Sequence, residues 1–161
     1  MRILLVFIIS SFTSLAQVES DSYEFMLDAL LQHTVPEVAV SDALSDDVLF
    51  IDCREWNEFE VSHIEGALWV GYNDFKADRI AGISMDQSII IYCSVGYRSE
   101  KIAEQLVSLG YNDVRNLYGG IFEWVNQDKI IVDQNGDPSL KIHAYDRIWG
   151  IWLDKGEKVY Y

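Results

Sequence analysis

Cys93 stands at the end of an apolar run, Ser88 to Tyr92, and is followed by Ser94-Val95-Gly96-Tyr97-Arg98-Ser99. A cysteine between a buried strand and the turn into a helix lies where open parallel sheets place their sites, beyond the carboxyl ends of the strands. Successive N–H groups of such a turn, with the positive end of the helix behind them, form a concavity that favours negative charge. There a thiol's pKa can be drawn from about 8.5 into the range of roughly 3.5 to 7.5, and the thiolate is the nucleophilic form. Gly96 permits the tight curvature, and Arg98 adds a permanent positive charge at the mouth of the turn. The same position also suits an inert thiol, because free cysteine is among the most buried residue types.

The elements that must position Cys93 are legible on either side of it. Val48-Leu49-Phe50-Ile51 and Ile89-Ile90-Ile91-Tyr92 are continuous apolar runs, as expected of parallel strands buried on both faces. Further strands are expected at Glu37 to Val40, Ala67 to Val70 and Asp113 to Leu117. Arg98 to Leu109 reads as a helix, with Ile102, Ala103, Leu106 and Leu109 on one face and Gly110 placed to end it in the left-handed conformation. Strand, tight turn, helix and return strand make a βαβ unit, whose crossover is right-handed. The expected class is α/β, with helices on both faces of a mostly parallel sheet.

Two flanking segments complete the chain. Tyr23, Met26, Leu27, Leu30 and Leu31 recur at helical spacing, with Asp21 or Ser22 positioned to cap the start. Beyond residue 125, Asn135-Gly136-Asp137-Pro138 separates Ile130-Ile131-Val132 from Leu140-Lys141-Ile142, which predicts a hairpin-like excursion. Tyr145, Trp149, Trp152, Tyr160 and Tyr161 then form an aromatic tail, expected to pack back over the domain; a partner-binding patch is the competing reading.

A chain of 161 residues that is 50% apolar can bury the core of one domain. Residues 1–16 read as a secretory signal: Arg2 opens it, Ile3 to Ile9 form an apolar stretch, and Ser14-Leu15-Ala16 precede an expected cut at Gln17. A retained anchor would need about 20 apolar residues, whereas Ser10, Ser11, Thr13 and Ser14 interrupt this run. The protein is therefore expected to be exported, to the periplasm or another extracytoplasmic space, with no membrane span after cleavage. Loss of Arg2 takes the net charge from −14 to −14 − 1 = −15, which argues against a nucleic-acid partner. Because screening acts over roughly 8 to 10 Å, local charge decides what a recessed site binds. In an oxidising compartment the two cysteines, Cys53 and Cys93, also suit a disulfide, although a domain of this size does not need one.

Asp52-Cys53-Arg54-Glu55-Trp56, Glu58-Phe59, His63-Ile64-Glu65-Gly66-Ala67, Cys93 to Ser99 and Gly119-Gly120-Ile121-Phe122-Glu123-Trp124 follow one another in an order and spacing that resemble the rhodanese domain. The resemblance covers residues 36–125 as the domain proper, which leaves 17–35 as the N-terminal helix and 126–161 as an extension expected to pack on the domain. It also implies a three-layer α/β fold around a five-stranded sheet, and a sulfurtransferase cycle without metal or organic cofactor. In that cycle Cys93 takes the outer sulfur of a small-molecule donor as a persulfide and passes it to a thiol or cyanide-like acceptor, with a protein acceptor also admitted. Ser94, Val95, Gly96, Tyr97, Arg98 and Ser99 would form the substrate cradle, and Asp52 with Arg54 would brace it from the neighbouring strand end. His63 takes a structural place, and Cys53 that of a packed thiol.

Ser94 stands where thiosulfate-using members often carry a basic residue, so thiosulfate is expected to be a poor donor. The same fold hosts phosphatases and arsenate reductases, but their pattern places five residues between cysteine and arginine. Four separate Cys93 from Arg98, a ring suited to a single sulfur atom. A persulfide carrier or binding module with little turnover is the remaining alternative.

Overall fold

The computed structural model describes residues 17–44 and 47–160. The signal-like segment 1–16 and Tyr161 lie outside the described residues. Helix α1 spans Asp21–Leu30; β1, Glu37–Val38; β2, Val48–Asp52; α2, Trp56–Val61; β3, Leu68–Trp69; β4, Ser88–Tyr92; α3, Tyr97–Ser108; β5, Asp113–Leu117; and α4, Gly120–Asn126.

The five strands form one sheet in the order β1-β5-β4-β2-β3, with every neighbouring pair parallel. The α/β class and the five-stranded sheet are thus as the sequence implies. Because strand side chains alternate, β4 feeds two cores. Ile90 and Tyr92 pack on one face with Tyr23 and Leu27 of α1 and Ile121 and Phe122 of α4. Ile89, Ile91 and Cys93 pack on the other with Ile102, Ala103 and Leu106 of α3. Ile51 and Cys53, from β2 and the residue just beyond it, lie in that second core too. Both cysteines therefore occupy the α3 face.

Several boundaries differ from the sequence expectation. Ser20, not Asp21 or Ser22, caps α1: it is extended and its Oγ accepts from Tyr23 N at 3.4 Å, while Asp21 already lies in the first turn. The first strand ends at Val38, where Val40–Asp42 turns into a 3₁₀ helix. Leu68–Trp69 is shorter than Ala67 to Val70, and both shortened strands are the edges of the sheet, where fewer partners hold them. Helix α3 begins one residue early, at Tyr97; after it Gly110 takes φ +102 and Tyr111 N reaches back to Leu106 O at 3.2 Å.

The predicted hairpin is only partly right. Ile131–Val132 (β6) pairs antiparallel with Pro138–Ser139 (β7), whereas Lys141–His143 (β8) leaves the turn and pairs parallel with Glu157–Val159 (β9). Proline at the start of β7 offers no N–H to extend the ladder, and Ile142 is instead buried in the α1/α4 core. The extension is docked at several points: Ala144 and Leu153 join the same core, Trp152 stacks on Tyr23 at 5.4 Å, and Asn126 Nδ2 donates to Trp152 O at 2.9 Å. Among the described residues no helix is long and apolar enough to cross a membrane.

Candidate active site

Cys93 follows β4, and its sulfur sits at the N-terminus of α3. Gly96, the residue before the helix, takes φ +115, a conformation costly for any side chain with a Cβ, and so turns its N–H onto Cys93 Sγ at 3.2 Å. Ser99 Oγ lies 3.6 Å from the same sulfur. That hydroxyl has one proton and also faces Gly96 O at 3.0 Å and Asn116 Oδ1 at 2.7 Å, so a charged sulfur competes for it. Asn116 Nδ2 in turn donates to Gly96 O at 3.0 Å, pinning the turn from β5.

The loop is held from above by a close backbone approach. Ile121 N donates to Cys93 O at 2.9 Å and Phe122 N to Ser94 O at 3.1 Å, so α4 caps the two carbonyls that precede the turn. A β-carbon on Gly120 would lie 2.5 Å from Cys93 O and 2.6 Å from Ser94 O, so only glycine allows this contact.

Burial works against an anion at Cys93, yet the sulfur is held well below the usual thiol range. The Cys53 thiol as hydrogen-bond donor, the charge of Arg98 and the Ser99 hydroxyl together outweigh desolvation. Cys53 shows the mirror image: burial, reinforced by the neighbouring Cys93, pushes its thiol well above that range. Its one proton faces two acceptors, Cys93 and Tyr92 O at 3.2 Å. Both cysteines are free thiols. Cys53 is thus packed, as expected, and is also a partner of the nucleophile.

Arg98 is committed to a second partner. Its Nη1 lies 2.7 Å from Glu58 Oε2 and its Nη2 2.8 Å from Glu58 Oε1, while Nη2 also donates to Ser94 Oγ at 3.1 Å. The Ser94 hydroxyl in turn donates a hydrogen bond to Glu58 Oε1 at 3.1 Å. Burial alone would raise the Glu58 carboxyl, but Arg98, and behind it Arg54, bring it down to about 2. Glu58 is placed for this by α2, where it also closes a capping box with Glu55.

The structure therefore brings Cys93 together with Ser94, Val95, Tyr97 and Arg98 around one cavity, with Gly96 and Ser99 holding the sulfur. Asp52 and Arg54 stand apart from it. They form a fully buried pair, Arg54 Nη2 at 2.6 Å from Asp52 Oδ2, and Arg54 continues to Ser62 O at 2.7 Å. Their support of Cys93 is indirect, through the pairing of Asp52 with Tyr92 and of Cys53 N with Tyr92 O.

Besides Cys53, four site residues had no such role in the sequence reading. Asn116 is fully buried but stands in a strand, Asp113–Leu117, that also holds Asp113 and Arg115, so its sequence context does not mark it; Glu58, at the third position of a capping box, carries a signal in its spacing. Tyr145 and Trp149 of the extension carry none, yet they wall the cavity above Cys93, and the Arg98 guanidinium lies 5.0 Å over the Tyr145 ring. The cavity measures about 230 Å³. Among the described residues no group of three or more His, Cys, Asp or Glu side chains is arranged to hold a metal ion.

Comparison with known proteins agrees with this architecture. The family model described as a rhodanese-like domain matches residues 38–127. A tRNA uridine(34) hydroxylase of Pectobacterium carotovorum is 34% identical over 95 residues, 55% of this chain and 27% of that protein. The chain thus spans about a quarter of the length of that curated relative. Among solved structures, the BH2092 protein of Bacillus halodurans superimposes with a TM-score of 0.58 at 22% identity, covering 71% of this chain and 86% of the other. A rhodanese-related protein of Thermoplasma volcanium gives 0.52 at 20% identity, covering 61% and 98%. At those identities the likeness is one of fold.

Proposed function

The chain belongs to the rhodanese-like domain family, and from that membership and the surroundings of Cys93 we propose a sulfurtransferase that carries sulfane sulfur as a Cys93 persulfide. One observation carries the reading: a sulfur at a helix N-terminus accepts the Gly96 N–H at 3.2 Å, has Cys53 and Ser99 as further donors, and opens onto a cavity. In the first half-reaction the Cys93 thiolate attacks the outer sulfur of a donor. The donor's S–S bond breaks, its remainder leaves with the electron pair, and Cys93 holds the new S–S bond. In the second half-reaction a thiol or cyanide-like acceptor attacks that outer sulfur and Cys93 leaves as the thiolate, so the cycle is redox-neutral overall.

Arg98 favours sulfur over oxyanion chemistry. A phosphatase needs its arginine fork free for a tetrahedral oxyanion, whereas both Arg98 forks are bound by Glu58. The hydroxylase name of the curated relatives is not carried over, because the matched stretch is 27% of that protein and the chain's net charge of −14 opposes a tRNA substrate. Export is part of the proposal, supported by the Arg2, Ile3 to Ile9 and Ala16 pattern.

The test is intact-protein mass spectrometry after exposure to a sulfane-sulfur donor, followed by cyanide. The wild type gains the mass of one sulfur and loses it as thiocyanate, and Cys93→Ser does neither. Loading that persists in Cys93→Ser would overturn the assignment.

A further inference from the structure

The cavity over Cys93 has a wall and a charge pattern that the sulfur chemistry alone does not require. Its lining side chains are Cys93, Ser94, Val95, Tyr97, Arg98, Tyr145 and Trp149, three of them aromatic. Arg98 is the only cation among them, and Glu58 occupies both its forks. Arg54, outside the cavity, is matched in the same way by Asp52. The one lining cation is thus already matched by a carboxylate and offers no surplus positive charge to a dianion, and ionised Cys93 adds a negative one. Acidity of the whole chain, −14, works in the same direction.

The aromatic wall is a built feature. Ile142, Ala144 and Leu153 anchor it in the core, and Asp146 Oδ1 accepts from Ile148 N at 2.7 Å and Trp149 N at 2.9 Å, which fixes the 3₁₀ turn Trp149–Trp152. Tyr145 is held at φ +62, a conformation that aromatic side chains rarely adopt, and Tyr145 N donates to His143 Nδ1 at 3.1 Å. Size narrows the occupant further: a dry apolar cavity of about 150 Å³ takes a benzene ring, so about 230 Å³ admits a ring with a few more heavy atoms.

We propose that this cavity, walled by Tyr145 and Trp149 of the C-terminal extension, seats the leaving portion of an organic sulfane-sulfur donor bearing an aromatic or compact apolar group. The proposal rests on the reading of Cys93 as the sulfur carrier and adds the class of donor. The Cys93 thiolate attacks the terminal sulfur of R–S–SH; the donor's S–S bond breaks, R–S⁻ departs with the electron pair into the cavity, and Cys93 becomes the hydropersulfide. An aryl thiolate suits that step because a leaving thiol of lower pKa departs faster. Tyr145 and Trp149 are specificity residues and touch the group that leaves, not the sulfur transferred.

Three donors that share one sulfonyl-sulfane core test the inference on the full chain: thiosulfate, methanethiosulfonate and benzenethiosulfonate. Each passes its terminal sulfur to Cys93 and releases sulfite or the corresponding sulfinate. Expected is a kcat/KM that rises along that order, by about a hundredfold from end to end. Trp149→Ala and Trp149→Leu should each lower the benzene-to-methane ratio about tenfold, as loss of one aromatic contact predicts; the leucine variant keeps apolar bulk where alanine leaves a void under the turn. Equal kcat/KM for thiosulfate and benzenethiosulfonate, or a ratio unmoved by both Trp149 variants, overturns the donor class while leaving the carrier reading intact. If no donor loads Cys93, inorganic polysulfide included, the carrier reading itself fails.

Discussion

Arg98 and Glu58 meet as a two-pronged ion pair, Nη1 2.7 Å from Oε2 and Nη2 2.8 Å from Oε1, with Ser94 Oγ within 3.1 Å of both side chains. The pair ties α2 to the start of α3 and sets how much positive charge the Cys93 cavity presents. Removing the carboxylate leaves a largely buried guanidinium uncompensated, a change that costs about 3 to 5 kcal/mol. Glu58→Gln should therefore lower stability by that order in urea unfolding at neutral pH. If the variant stays folded, it should bind thiosulfate more tightly, seen as a lower KM. An unchanged KM would detach Glu58 from donor selection.

The same carboxylate predicts an acid limb. Burial opposes its ionisation, but Arg98 and Arg54 hold it at about 2 against an ordinary 4.5. A depressed folded pKa contributes stability that is fully present above about pH 4.5 and is lost as pH falls toward 2. At 1.36 kcal/mol per unit this amounts to about 3 kcal/mol. Urea midpoints measured from pH 6 down to pH 2.5 should fall steeply in the wild type and more gently in Glu58→Gln; parallel curves would place the acid sensitivity elsewhere.

Cys53 should matter to the nucleophile without carrying sulfur. Its thiol is a hydrogen-bond donor to Cys93, and a hydrogen bond to a charged group contributes about 1.5 to 3 kcal/mol. Cys53→Ala should raise the pKa seen in the pH dependence of Cys93 alkylation, while persulfide loading at high pH persists. A pH profile that does not move would reduce Cys53 to a filler of the α3 core. A stable Cys53–Cys93 disulfide in the native compartment that resists sulfur donors would defeat the persulfide cycle.

Gly120 should be among the least replaceable residues near the site. A β-carbon there meets the Cys93 and Ser94 carbonyls at 2.5 and 2.6 Å in a backbone held at φ +58. Gly120→Ala should cost about 3 kcal/mol or more, since backbone overlap adds to the left-handed penalty. Gly136→Ala has open space and φ +82, so only the conformational penalty, about 1 kcal/mol, applies. Similar losses for the two in thermal or urea unfolding would remove steric contact with the Cys93 loop as the cause.

Export predicts a processed N-terminus. N-terminal sequencing of protein recovered from the native host should begin near Gln17, and recovery of an unprocessed chain from the cytosol would refute it.

Much of this molecule is written in local sequence. The continuous apolar runs within Val48–Asp52 and Ser88–Tyr92 read as parallel strands and are found as such, and the helix after Cys93 shows its apolar stripe and the glycine beyond its end. Cys93, its turn and Arg98 were legible because their chemistry depends on neighbours within six residues. The ends of the edge strands and the second half of the hairpin were not, because partners far along the chain decide how long an edge persists and where Lys141–His143 pairs. The same holds for the rest of the site. Cys53 reaches Cys93 across two adjacent strands, Glu58 reaches Arg98 from forty residues away, and Tyr145 and Trp149 arrive from the far end of the chain. Periodicity records which face of an element is apolar, and it does so within one element. Which aromatic closes over the sulfur, and which carboxylate neutralises the arginine, depend on side chains brought together only when separate elements pack.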